Sequence, residues 1–370
     1  MQNKKVLLIC VQSHSILSFR RGLILALKES GYDVSAIAFD NNNTEEITKL
    51  GVKLFVIDDN NRSLNPIKLL TLKKKIKKII EEEEPGLVFT FMLKPNIFGV
   101  LAAKSYKKSA IFSMVEGVGD VYTRTGIKWA IIRLLVTILY KQSFKRADKV
   151  FFLNNDNKNE FIRRGIIEDS NKIEVIPGIG VDLNRFQYTP MTNHQTVLMV
   201  ARLLKTKGVF EYCEAAKLLK EKYPNAIFQL LGPEGEIKKA DLQPYIDAGY
   251  IEYIPQKNDV RPYLKDCGIF VLPSYKEGLS MSIMEAESTG RAIITSNTTG
   301  CVDSIEVNKN GLLAAVGNVN DLAEKISQLL GNEKMTQEFG KASRKIAEDK
   351  FDQTIINKKV IALIGENIRG

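Results

Sequence analysis

Twice along this chain, on either side of one irregular stretch, short apolar runs alternate with longer amphipathic ones. Residues 5–10, 33–39, 52–57, 87–91, 110–115 and 149–153 have the length and the aliphatic and aromatic content of buried strands. Residues 17–29, 66–81, a segment from residue 96, and 127–146 repeat their apolar positions with the helical period. Strand, helix and strand in succession pack as a parallel sheet covered by helices on both faces. The rhythm lapses over 176–195, where Ile-Pro-Gly-Ile-Gly-Val-Asp leads into a polar stretch with Pro190, Thr192, Asn193 and His194, the composition of a connection between domains. It resumes with strands over 196–200, 227–231, 251–254, 269–272 and 292–295, and 332–369 reads as two closing helices. A chain of 370 residues is also longer than one hydrophobic core usually serves. The pattern predicts an α/β fold of two Rossmann-like, doubly wound parallel-sheet domains facing a cleft, over residues 1–180 and 181–350, with a helix over 351–370 packing back on the first.

What the chain lacks narrows its chemistry. The first strand leads into Cys10-Val11-Gln12-Ser13-His14-Ser15, without the Gly-x-Gly-x-x-Gly fingerprint of dinucleotide-binding dehydrogenases, and no P-loop occurs. Four scattered cysteines and two histidines, with no Cys-x-x-Cys, argue against a zinc site or a disulfide framework. No Asp-x-Asp triplet is present to hold a divalent ion on a diphosphate, so no metal and no other cofactor is expected. The apolar run after Lys4 and Lys5 ends at Gln12 and reads as a strand, not a signal peptide. The longest apolar stretch, 129–140, is interrupted by Arg133 and falls short of the roughly 20 residues of a membrane span. A net charge of +10 asks for an acidic partner, and phosphorylated substrates and anionic lipids qualify. Nucleic acid is set aside, because aromatic residues are not interleaved with the basic clusters and no reader motif is present.

Open parallel sheets bind ligands beyond the carboxyl ends of their strands, so the chemistry belongs in the loops there. Residues 269–272 are followed by Pro273-Ser274-Tyr275-Lys276-Glu277-Gly278-Leu279-Ser280-Met281-Ser282-Ile283-Met284-Glu285. Gly278 closes the loop, Ser280 or Ser282 is placed to cap a helix, and Glu277 and Glu285 flank that helix's N-terminus. Unpaired N–H groups and a positive dipole end suit a diphosphate there, while carboxylates on either side accept hydrogen bonds from sugar and ribose hydroxyls. The loop after 197–200, Ala201-Arg202-Leu203-Leu204-Lys205-Thr206-Lys207-Gly208, carries a guanidinium and an ammonium that suit the charge of a leaving diphosphate. Taken singly, each of these is also readable as a solvated surface charge. In the first domain, Ser13, His14, Ser15, Ser18 and Arg20 gather where the first helix begins. His14, Arg20, and Lys94 and Asn96 after the fourth strand are candidates for the acceptor or the diphosphate, the plainer alternatives being a loop histidine and a helix-face arginine.

Together these residues resemble glycosyltransferase family 4, whose members carry a Glu-x7-Glu motif and an Arg…Lys-Gly pair in the nucleotide-binding domain; Glu277 and Glu285 stand at that spacing. The likeness covers nearly the whole chain, including Gly178-Ile179-Gly180-Val181-Asp182 and Phe270-Val271-Leu272-Pro273-Ser274. It implies a GT-B fold and retaining transfer from a UDP-sugar. The implied nucleotide-sugar site comprises Arg202, Lys207, Glu277, Gly278, Leu279, Ser280 and Glu285, with Glu277 against the donor sugar, Glu285 on the ribose, and Arg202 and Lys207 on the diphosphate. Val115-Glu116-Gly117-Val118-Gly119 and Leu139-Tyr140-Lys141-Gln142-Ser143-Phe144-Lys145 are similar to bacterial N-acetylgalactosaminyltransferases that extend undecaprenyl-diphosphate-linked sugars. That likeness implies GalNAc transfer from UDP-GalNAc to a polyprenyl-diphosphate-linked saccharide in bacterial glycan, capsule or O-antigen assembly. Many family members have a histidine near the reacting sugar where this chain has Glu116. Glu116 either takes part in catalysis, accepting a sugar hydroxyl or the acceptor's proton, or caps the Gly117–Gly119 turn.

Residues 67–80 place apolar groups on one helical face and six lysines around the rest, and 127–146 repeats the theme with Lys128, Arg133, Lys141, Lys145 and Arg146. Basic amphipathic helices bind anionic membranes, although Rossmann helices with apolar faces on the sheet have the same pattern. With a lipid-linked saccharide as acceptor, the expected partners are the UDP-sugar, that acceptor and the anionic inner-membrane surface. The protein is then expected in the cytoplasm, peripheral on the inner face of the cytoplasmic membrane. Two other readings stay open: a UDP-sugar 2-epimerase of GT-B fold, and a non-catalytic sugar-nucleotide-binding protein.

Overall fold

The computed structural model describes residues 3–59, 65–117, 119–123 and 125–368; Val118, one of the residues that carried the sequence likeness, lies outside them. Its contacts divide the chain into two units, Met1–Ile179 with Gln353–Gly370, and Gly180–Asp352.

The first unit is built on strands β1 (Lys5–Ile9), β2 (Asp33–Ala38), β3 (Lys53–Val56), β4 (Leu87–Phe91), β5 (Ala110–Val115), β6 (Lys149–Phe152) and β7 (Ile173–Val175), in the order β3-β2-β1-β4-β5-β6-β7. Every pairing is parallel, with Val6 opposite Val34 on one side and Leu87 on the other. β4 and β5 are buried at every position, as expected of strands covered on both faces. Along β1 the two-residue alternation sorts side chains between the faces. Val6 and Leu8 join a core with Ile356, Val360 and Ile364 of the helix Gln353–Asn367, whereas Leu7 and Ile9 pack with Leu72, Ile76 and Ile80 of the helix Pro66–Glu83. Pro66–Glu83 begins where Asn65 Oδ1 accepts from the N–H of Ile67 (2.9 Å) and Lys68 (3.4 Å), with proline at the first helical position.

Two features differ from the sequence reading. The single helix expected over 17–29 starts earlier and is broken in two, Ser13–Phe19 and Arg21–Glu29, with Arg20 at the junction (φ −115°, ψ −9°). The break turns the Arg20 side chain into the unit's interior, and the apolar periodicity that runs through it did not mark it. β7 is a half-buried Ile-Glu-Val edge strand, too short and too polar to register as an apolar run.

The second unit carries β8 (Thr196–Val200), β9 (Ile227–Leu231), β10 (Glu252–Ile254), β11 (Ile269–Leu272), β12 (Ala292–Ser296) and β13 (Gly311–Ala314), in the order β10-β9-β8-β11-β12-β13, again all parallel. β13 lay beyond the strands expected from sequence. In each sheet the winding direction reverses once, between β1 and β4 and between β8 and β11. Those are the topological switch points, where the loops leaving adjacent strands diverge and open a crevice for a ligand. No helix among the described residues is long and apolar enough to cross a membrane.

Candidate functional site

The loops leaving β8 and β11 flank the switch point of the second unit and are fastened to each other. Past β8, Lys205–Lys207 form one 3₁₀ turn, and Gly208 (φ +73°) then admits the helix Val209–Lys220. A Cβ at Gly208 would overlap the Pro273 carbonyl and ring, so only glycine lets the two loops approach this closely. The Tyr275 N–H donates to the Thr206 carbonyl across the junction (2.9 Å). On the far side, the Glu277 N–H donates to Thr299 (3.2 Å), and Gly300 (φ +78°) sits against the Glu277 carbonyl where a Cβ would collide.

Held in this way, the Glu277 carboxylate meets the Lys207 ammonium at 2.5 Å, with 9% of the glutamate and 26% of the lysine side chain exposed. The pair is therefore open on the lysine's side, and an ammonium with three donors retains two for another anion. Arg202, in the same loop, is exposed, and its carbonyl accepts from the Leu204 N–H (2.8 Å). Ser280 is the N-cap of the helix Met281–Thr289, but its hydroxyl contacts Ser282 Oγ (3.1 Å), so no side chain caps the helix. The serines therefore leave the first N–H groups uncovered by the cap that the sequence suggested. Gly278 and Leu279 form the half-buried approach to that helix end. Glu285, further along the helix, is half-buried; burial pushes its carboxyl up to about 7, opposed by the Arg185 charge. Near neutral pH it is thus both a donor and an acceptor of hydrogen bonds.

In the first unit two candidates come together. Arg20, 2% exposed, lies with its guanidinium 4.1 Å from the centre of the Phe91 ring and forms an ion pair with Glu116, the residue after β5. Burial pulls the guanidinium down to about 10, opposed by Cys10, and burial lifts that thiol to about 11, so the arginine is a cation at neutral pH. The helix-face reading of Arg20 is corrected, because the helix break redirects it inward. Lys94 is buried against Asp59 (2.7 Å). Asn96 is fully buried; it donates to the Met114 carbonyl (2.8 Å) and accepts from Thr90 Oγ1 (2.8 Å), bracing β4 against β5. His14 is exposed in the first turn of the helix Ser13–Phe19, with Nε2 2.9 Å from Ser18 Oγ one turn on, so it is a helix residue and the loop reading is corrected. Among the described residues no cluster of three or more His, Cys, Asp or Glu side chains is placed to hold a metal.

Sequence reasoning missed the residues that hold the site, Thr206, Tyr275, Thr299 and Gly300, together with Asp59 and Phe91. Gly300, following a polar loop after an apolar strand, was the one with a readable signal.

Comparison with known proteins agrees with the division into two units. A family model described as glycosyl transferases group 1 matches residues 181–346, and one described as glycosyl transferase 4-like matches residues 5–154. The chain is 34% identical over 369 residues to the N,N'-diacetylbacillosaminyl-diphospho-undecaprenol alpha-1,3-N-acetylgalactosaminyltransferase of Campylobacter jejuni, covering 96% of each. It is 27% identical over 294 residues to the UDP-Gal:alpha-D-GlcNAc-diphosphoundecaprenol alpha-1,3-galactosyltransferase of Escherichia coli, covering 74% of each. Among solved structures, the glycosyltransferase from Rickettsia africae superposes with a TM-score of 0.79 at 20% identity, over 99% of both chains.

Proposed function

The chain belongs to the group 1 glycosyltransferases, with the GT-B architecture of two doubly wound parallel units, and from that premise we propose that it transfers N-acetylgalactosamine from UDP-GalNAc to a polyprenyl-diphosphate-linked saccharide in bacterial glycan assembly. The Lys207–Glu277 contact beside an uncapped helix N-terminus, at the second unit's switch point, carries this reading. It puts a cation and free N–H groups where a diphosphate needs them and an acidic acceptor where a sugar hydroxyl needs one. The choice of sugar and acceptor rests on the Campylobacter jejuni relative, and the uridine nucleotide on the Escherichia coli relative, which is named for UDP-galactose.

In this mechanism the diphosphate lies on Lys207, Arg202 and the N–H groups after Ser280, Glu277 accepts from the donor sugar, and Glu285 from the ribose. The bond from the anomeric carbon to the diphosphate oxygen breaks as the acceptor hydroxyl bonds to that carbon, and the hydroxyl's proton passes to the departing oxygen. Attack from the leaving-group face retains the anomeric configuration. Lys207 and Arg202 stabilise the charge that grows on the diphosphate, the largest electrostatic demand of the step. Glu116 keeps its place in the first unit as an acceptor for a saccharide hydroxyl, oriented by Arg20. Since a polyprenyl-linked acceptor lies in the inner leaflet, the enzyme works in the cytoplasm, peripherally at the inner face of the membrane, and its net charge of +10 favours that surface.

The test is a panel of UDP-sugars assayed with and without a polyprenyl-diphosphate-linked saccharide. UDP-GalNAc is expected to be consumed with the acceptor present, and Lys207→Ala to lower kcat by about 100- to 1000-fold. Epimerised UDP-sugar without transfer would replace the reading with a 2-epimerase, and unchanged turnover in the variant would remove Lys207 from the site.

A further inference from the structure

The helix Ile127–Phe144 buries Val136, Tyr140 and Phe144 in the first unit's core yet leaves Ile127, Ile131, Leu134, Leu135 and Ile138 exposed, Ile127 by 84% and Leu134 by 62%. These five recur at helical spacing on one face and form a continuous aliphatic ridge about 16 Å long. A helix whose outward face is as apolar as its inward one is not completed by water, and contiguous exposed apolar patches mark interaction surfaces. At the start of the helix Pro66–Glu83, Ile67 and Leu70 are likewise exposed. Both helices pack against the same connecting segment, residues 95–103, and so lie on one face of the sheet.

Charge identifies what covers the ridge. The helix contains no acidic residue; Lys128 stands exposed at one end of the ridge and Lys145 continues its face at the other. On the neighbouring helix Lys68 and Lys74 are exposed alongside Ile67 and Leu70. Two copies of this chain meeting ridge to ridge would bring like charges together. The ridge also lacks the aromatic and arginine anchors that dominate protein interfaces. Aliphatic side chains with cations at their borders match the boundary between acyl chains and anionic headgroups.

We infer that the outward face of the Ile127–Phe144 helix inserts into an anionic phospholipid surface, with Lys128 and Lys145 at headgroup level and Ile67 and Leu70 as a second contact. This rests on the reading of a lipid-anchored acceptor and adds the surface by which the enzyme reaches it. The basic faces read from the sequence account for attraction to such a surface, whereas the ridge supplies insertion. Salt therefore weakens binding without abolishing it.

The experiment is co-sedimentation of the full chain with vesicles of phosphatidylethanolamine and phosphatidylglycerol, without donor or acceptor. The wild type is expected to bind and the Ile131→Glu/Leu134→Glu variant to bind at least about tenfold more weakly, with Ile131→Ser/Leu134→Ser intermediate. UDP affinity and thermal midpoint should be unchanged in both, since these side chains project from the surface. Transfer to a vesicle-embedded acceptor should fall, while transfer to a short-chain, water-soluble acceptor should not. Wild-type protein that ignores the vesicles, variants that bind as well as wild type, or a wild-type dimer split by the variants with lipid binding intact would each overturn the inference. Because binding is read without either substrate, failure of GalNAc transfer leaves this result interpretable, and failure here leaves transfer to soluble acceptors standing.

Discussion

Lys207 and Glu277, 70 positions apart, meet because the loops after two adjacent strands are locked together at their backbones. Their identity as candidates was visible in the sequence, since a carboxylate at a strand end followed by a helix start is a pattern. Their contact was not, since it depends on β8 lying beside β11. Glu285 shows what residue type alone conceals. Its carboxyl, raised to about 7 by burial, binds its proton more tightly in the folded protein than in the unfolded chain, whose carboxyl titrates at 4.5. Its contribution to stability is therefore full below pH 4.5 and is lost as pH rises through about 7. Glu285→Gln escapes that loss, so the melting temperature of the variant minus that of the wild type should rise between about pH 5 and pH 8. A difference that stays flat with pH would show that the carboxyl is better solvated than its position on the helix indicates.

At the scale of elements, glycines decide how near two loops come. Gly208 adopts a left-handed backbone that costs other residues about 1–2 kcal/mol, and its missing Cβ leaves room for the Pro273 carbonyl. Gly208→Ala should therefore lower the stability of the second unit by at least that much, read from the urea midpoint, and weaken UDP binding by parting the two loops. Stability and affinity both equal to the wild type would mean that the loops do not depend on this approach. The helix after Ser280 is instructive in another way. The sequence offers two serines suited to capping, yet they turn to each other and leave the helix end without a side-chain cap. Arg20 follows the same logic, since a helix break sends it into an ion pair that no local pattern announces.

Over the whole molecule, each unit has its own sheet and its own core, and the nucleotide-sugar candidates Arg202, Lys207, Glu277 and Glu285 belong to the second. UDP should accordingly slow amide exchange at Lys205–Lys207 and over the first turn of the helix Met281–Thr289, while leaving β1, β4 and β5 of the first unit unaffected. Protection confined to the first unit would move the nucleotide to the other sheet. The chain also returns to its starting unit, since Gln353–Asn367 packs on Arg21–Glu29 and adds Ile356, Val360 and Ile364 to the first core.

Periodicity and composition determined the class of fold, two parallel α/β sheets joined by a glycine-rich connection, because strands buried on both faces must be apolar throughout and their covering helices amphipathic. Position at strand ends made Glu277, Glu285, Arg202 and Lys207 candidates, and their family likeness grouped them. Strand order, and with it the switch points at β1/β4 and β8/β11, belonged to the tertiary structure alone. So did the choice between a charge facing water, as at Arg202, and one drawn inward, as at Arg20. Local sequence sets what a side chain can do, but burial and partners come from chain segments tens of residues away, and only packing brings those together.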